Sequence, residues 1–166
     1  MFKKQQGFTL VELMVTVIVL AILASVAVPN FINTIQNTRS TSLANSFVTA
    51  LNYARSEAIK RNRQVDLCPG ADPASCTGAW TSGWLITTED SGGNIIVLRS
   101  FDSPETGANI SLDVDDVGFD GRGALADPSS TAIFKTYYQS CPDEEKRIIQ
   151  ISVAGQISLS REACTP

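Results

Sequence analysis

The sequence predicts an α+β fold, with one long N-terminal helix packed on a small antiparallel β-sheet domain. Three observations carry that prediction. Leu13 to Val28 is an apolar run without a charge. Apolar residues then recur at steps of three and four as far as Ala58. From Gln64 onward the pattern shifts to short β-rich runs separated by turn residues.

The first element begins behind a basic leader. Lys3 and Lys4 precede the string Gly7-Phe8-Thr9-Leu10-Val11-Glu12. A cleavable secretory signal places its small residues after the apolar core, so the core is discarded. Here Gly7 comes before the core, and a cut after it would leave the apolar helix on the mature chain. Phe8 to Val28 would extend about 31 Å as a helix, close to the ~30 Å hydrocarbon core of a bilayer. The basic side predicts an N-terminus in the cytoplasm and a domain on the far side. Glu12 breaks the apolar pattern, at a cost of roughly 2.5–3.5 kcal/mol at a bilayer centre and less near an end. Its natural partner is the α-amino group that a cut before Phe8 would create. Between two chains staggered along a shared axis, that pair would fix the register.

This string, followed by the apolar helix and Pro29, resembles the type IV pilin processing motif, the class III signal. The resemblance implies that a prepilin peptidase cuts between Gly7 and Phe8 and methylates the new Phe8 amine. It also implies that Glu12 pairs with the N-terminus of a neighbouring subunit. The plainer alternative, an uncleaved signal anchor, requires the glycine, phenylalanine, glutamate and proline to coincide by chance. The organisation expected is a cleaved leader over 1–7, a transmembrane or filament-core helix over 8–29, an amphipathic half over 30–62 and a β-rich domain over 63–166.

Pro29 and the asparagines Asn30 and Asn33 mark the exit from the membrane, where a proline bends a helix and frees backbone groups. Phe31, Ile35, Leu43, Phe47, Leu51, Ala54 and Ala58 then form one stripe. The part from Leu43 to Ala58 is expected to pack on the chain's own sheet. Arg55, Lys60, Arg61 and Arg63 crowd the far end, where positive charge suits a helix C-terminus, and the helix should stop near Asn62. From Phe8 it would run roughly 80 Å.

Seven strands follow: Gln64–Cys68, Gly83–Thr87, Asn94–Phe101, Asn109–Val114, Ala132–Tyr138, Arg147–Val153 and Gln156–Ser160. Ser91 to Asn94 and Ala154-Gly155 read as hairpin turns, and Gly118 to Gly123 as a bent or looped segment.

The chain has 166 residues, and about 140 lie beyond the membrane segment, enough for one small domain. Its formal charge is −4; losing Lys3 and Lys4 takes Lys+Arg from 13 to 11 against 17 acids, or −6. Such a charge does not favour nucleic acid as a bulk partner. With no histidine, the chain lacks the usual general base and the commonest zinc ligand. It carries no phosphate-binding loop or nucleophile elbow, so neither an enzyme nor a cofactor is expected.

Cys68, Cys76, Cys141 and Cys164 all follow the membrane segment and read as two disulfides of an exported protein. Of three possible pairings, Cys68–Cys76 with Cys141–Cys164 is favoured. The first closes a Pro- and Gly-rich loop, and the second ties down the C-terminal tail. A zinc site is the weaker reading, because no Cys-x-x-Cys spacing occurs.

Beyond the leader, the segment Leu51 to Ile59, the Trp80 to Trp84 segment, Gly118 to Gly123 and the closing hairpin resemble the FimT/FimU/GspH-type minor pilins and pseudopilins. That resemblance implies a low-copy subunit that helps initiate or cap a type IV pilus. It also implies a partner set of prepilin peptidase, major and minor pilins and an inner-membrane assembly platform. The location implied is the inner membrane, then the pilus. A type II secretion pseudopilin is one alternative. A DNA-binding minor pilin for natural transformation is another. Members that bind DNA carry Gly-Arg-x-Arg in the last strands, whereas this chain has Gly155-Gln156-Ile157-Ser158. The remaining nucleic-acid candidates, Lys146, Arg147 and Arg161, stand beside acids, and DNA is disfavoured. Asp113, Asp115, Asp116 and Asp120 lack the spacing of a calcium loop and read as a solvated acidic turn, so no metal site is expected.

Overall fold

Helix α1 (Leu10–Arg61) contains 52 residues with Pro29 inside it. The structure, a computed structural model, describes residues 8–70, 72, 76–114, 117–129, 131–138 and 146–163. The chain divides into two compact units, Met1–Gln36 and Asn37–Pro166.

Both ends of α1 are set by local chemistry. At the start, Thr9 and Glu12 form a reciprocal capping box: the Glu12 amide donates to Thr9 Oγ1 (3.3 Å), and the Thr9 amide donates to Glu12 Oε2 (3.3 Å). At the far end, Asn62 turns left-handed with φ 48°. The Arg63 amide then reaches the Ala58 carbonyl and the Asn62 amide reaches the Ile59 carbonyl, both at 3.2 Å. That is a Schellman stop, and it falls where the sequence placed it.

The unit Asn37–Pro166 holds eight strands: β1 (Val65–Pro69), β2 (Trp84–Glu89), β3 (Ile95–Phe101), β4 (Ala108–Leu112), β5 (Val117–Phe119), β6 (Ala132–Tyr138), β7 (Lys146–Ile151) and β8 (Ile157–Glu162). They form two four-stranded sheets, ordered β3-β2-β1-β5 and β4-β6-β7-β8, with every pairing antiparallel. The seven expected strands are all present, with ends shifted by no more than two residues. The hairpin at Ser91 to Asn94 joins β2 to β3, and the one at Ala154-Gly155 joins β7 to β8. Two features depart from expectation. The strands split into two sheets instead of one, and β5 runs into the start of the segment read as bent or looped. A short 3-10 turn at Trp80–Ser82 precedes β2.

One core serves both sheets. On α1, Leu43, Phe47, Leu51, Ala54 and Ala58 are buried, as the stripe predicts, and Ala44 and Ala50 are buried beside them. The alanines keep the helix surface low, so larger rings can approach it. Phe47 stacks on Trp84 at 4.1 Å and meets Phe134 at 5.1 Å. Sheet residues Val65, Leu67, Ile86, Phe119, Ile149 and Ile151 complete the core. Burying each large side chain contributes about 1.5–3 kcal/mol. The Cys68–Cys76 disulfide is present, with Cα atoms 4.9 Å apart. Cys141 and Cys164 lie outside the described residues.

Candidate functional site: the exposed apolar helix and its carboxylate

The unit Met1–Gln36 has a surface unlike that of a soluble domain. Phe8 is 87% exposed, and every large apolar side chain from Leu10 to Val28 is at least half exposed. An 18-residue window there has a mean hydropathy of 2.7, and none of it is buried. A continuous apolar surface of this size marks contact with lipid or protein. By length and composition the helix is a candidate membrane anchor.

The polar side chains of this stretch are satisfied locally. Thr16 Oγ1 donates to the Leu13 carbonyl (2.8 Å), and Ser25 Oγ donates to the Ile22 carbonyl (2.7 Å). Next to Pro29, which has no N–H to give, Asn30 Nδ2 donates to the Val26 carbonyl (3.0 Å). These bonds keep the hydroxyl and amide donors engaged within the helix itself, as a lipid-facing helix would need.

Glu12 is the one charged residue between Phe8 and Gln36. Its Oε2 faces the Thr9 amide and lies 3.5 Å from Thr9 Oγ1. The carboxylate is therefore at the helix N-terminus, where a negative charge complements the backbone dipole. Phe8 lies beside this cap, whereas Gly7 is outside the described residues.

In the unit Asn37–Pro166, the three candidate nucleic-acid cations do not share one exposed patch. Arg147 is 4% exposed, and its guanidinium donates to Thr41 Oγ1 at 2.9 Å. Lys146 lies 4.0 Å from Glu162, and Arg161 stands opposite Arg147 in the β7–β8 register. Asp113 accepts the Ile133 amide at 2.7 Å. Asp120 accepts the Arg122 and Ala124 amides together with the Arg122 side chain, whose hydrogen bond leads the effects that lower its pKa. Asp115 and Asp116 lie outside the described residues.

Sequence reasoning missed two roles. Glu57 is buried on α1, and it accepts from Arg61 Nε at 2.7 Å and Lys60 Nζ at 3.3 Å. The Arg61 hydrogen bond is the main cause that holds its carboxyl below the ordinary value. Its spacing of three and four from two cations was the available signal. Arg55, read only as helix-end charge, donates from Nε to the Gly123 carbonyl at 2.9 Å and lies 3.5 Å from the Ala154 carbonyl. Nothing local in the sequence announces that long-range tie.

An unshielded apolar helix with one capping carboxylate, joined to a β domain that has its own core, defines a pilin-like protein. Residues 2–28 match the prokaryotic N-terminal methylation motif, and residues 43–155 match the family described as type II transport protein GspH. The chain belongs to this GspH family of minor pilins and pseudopilins, which are structural subunits. The type IV minor pilin FimU of Pseudomonas aeruginosa has a similar structure, with a TM-score of 0.60 and 26% identity over 74% of this chain and 89% of that one. The minor pseudopilin EpsH of the Vibrio cholerae type 2 secretion system shares the fold, with a TM-score of 0.57 and 12% identity over 74% of this chain and 97% of that one. A fimbrial protein of Pseudomonas aeruginosa is 40% identical over 63 residues, which span 38% of this chain and 40% of that protein.

Proposed function

We propose that this chain is a minor type IV pilin, a non-enzymatic structural subunit that helps initiate or cap a pilus. The single observation that carries the reading is the bare apolar helix with Glu12 as its only charge. Residues 1–7 are the leader. Prepilin peptidase cuts between Gly7 and Phe8 and methylates the Phe8 amine. The segment 8–29 then holds the subunit in the inner membrane, N-terminus inward, until the assembly platform passes it into the filament. There it contacts other major and minor pilins through the same surface. The segment 30–62 links that surface to the β-rich domain, 63–166.

Glu12 has two alternative partners in this scheme. Before assembly it caps its own helix through Thr9. During assembly it meets the amine of a neighbour, and a pair of opposite full charges replaces the carboxylate's hydrogen bond to a neutral amide. Glu12→Leu should therefore leave membrane insertion and folding intact while filament incorporation drops by about tenfold or more, the scale of one buried ion pair lost. Immunoblots of sheared filaments against membrane fractions measure it. Normal incorporation of the variant would overturn the reading.

A type II secretion pseudopilin is the second reading, favoured by the GspH match over residues 43–155. The two differ in the machine served. Deleting the gene and scoring piliation beside enzyme secretion separates them.

A further inference from the structure

The unit Asn37–Pro166 contains a groove of about 320 Å³. Helix α1 contributes Arg39, Ser42 and Ser46, β2 contributes Trp84, and the β3–β4 connection contributes Asp102 and Glu105. Trp84 is 2% exposed, and its indole stacks with Phe47 at 4.1 Å and with Phe101 at 5.6 Å. Its one polar side-chain atom, Nε1, is buried with no acceptor among the described residues. A buried donor without an acceptor costs about 1–3 kcal/mol, so the site favours whatever supplies one.

The charges define the rest of the ligand. Arg39 Nε and Glu105 Oε2 neutralise each other at 2.8 Å. Asp102 is exposed, and no side-chain hydrogen bond or ion pair engages it among the described residues. One cation against two acids leaves the groove with a net charge of −1. An anionic ligand is disfavoured; a neutral acceptor beside a cation fits. A polypeptide supplies both, as a main-chain carbonyl next to Lys or Arg.

We propose that this groove receives a segment of a different filament subunit, whose carbonyl oxygen accepts from Trp84 Nε1 and whose Lys or Arg pairs with Asp102. The inference rests on the filament-subunit reading above. A second copy of this chain is a poor donor. Most of its described cations are engaged: Lys60 and Arg61 with Glu57, Arg122 with Asp120, Lys146 with Glu162, Arg63 with the Glu89 carbonyl, and Arg99 over the Tyr53 and Phe101 rings, which leaves Lys135 on β6 as an exposed exception. The acidic balance of the chain also opposes self-association.

The test uses the full chain in piliated cells, with a photo-crosslinking residue in place of the exposed Ser42 and, separately, of Val17 in the apolar helix. The Ser42 probe should join one other pilin, and mass spectrometry should find Lys or Arg within the joined peptide. Asp102→Lys should cut that adduct about fivefold or more, and Trp84→Phe, which keeps the ring stack, should cut it severalfold. The Val17 adducts should stay unchanged in both. Should Trp84→Phe lose protease resistance, the surface change at Asp102 decides alone. Several results overturn the groove: no Ser42 adduct, adducts only to lipid or to a second copy, or adducts insensitive to Asp102→Lys. If Val17 still joins pilins in such a case, the filament reading stands and only the groove fails. If Val17 also joins none, both fall.

Discussion

Val17 and Phe47 lie on the same helix, yet Val17 is 55% exposed and Phe47 is fully buried. The residues around them explain the difference. Between Val11 and Val28 the helix is built largely from valine, isoleucine and leucine, bulky on all sides. A helix that is apolar all round has no face for water and suits lipid or other helices. From Leu43 to Ala58 the apolar residues are confined to one stripe, and the alanines within it let aromatic rings approach. Hydrophobicity alone does not separate the two halves. What separates them is whether the apolar surface is continuous or confined to one side.

Substitution at these two positions tests that contrast, and it carries the largest effect. Phe47→Ala should destabilise the β domain by about 3–5 kcal/mol. Val17→Ala should change it by less than ~0.5 kcal/mol. Urea unfolding of the detergent-solubilised chain, followed by tryptophan fluorescence, measures both, because Trp80 and Trp84 contact Phe47. Equal effects would erase the distinction between the halves. Replacing Cys68 and Cys76 together by serine comes next, with about 2–3 kcal/mol lost as the short loop is freed in the unfolded chain. The loss should appear in domain unfolding and leave membrane extraction unaltered, which sharpens the same contrast.

The smallest effect is on pH. The Glu57 carboxyl is held below its ordinary value, so its contribution to stability is complete above about 4.5 and disappears as pH falls through the lower folded value. Thermal unfolding between pH 3 and 6 should therefore show a slope that Glu57→Gln reduces. An unchanged slope would mean that Arg61 and Lys60 give the native carboxylate nothing beyond solvent.

Much of this was legible in the sequence. The stripe on α1, its stop at Asn62, the seven strands and both hairpin turns follow from local periodicity and turn chemistry. The misses share a cause, because each depends on distant partners. Strand β5 has three residues with Gly118 in the middle, which reads as a breaker. In the fold that glycine leaves room for Asp66 Oδ1 on the neighbouring strand, which a Cβ there would push aside. The division into two sheets depends on pairings such as β1 with β5, and periodicity carries no record of them. At the candidate site, Glu12 and Pro29 stood out as exceptions within an apolar run. Trp84 in its groove did not, because a tryptophan in a strand looks like any other core residue.

Gly155 is held at φ 76°, and a Cβ on it would strike the Gly123 carbonyl, the same oxygen that accepts from Arg55. A glycine there therefore serves as a fastener, whatever the outer strand carries. Residues from Gln156 onward sit beyond the knot, and β8 is mostly exposed. That makes the last strand an interchangeable cassette: arginines or serines can be written into it without unfastening the hairpin from the helix. A glycine at this corner is thus no clue to cargo, and only the letters after it are worth reading for one.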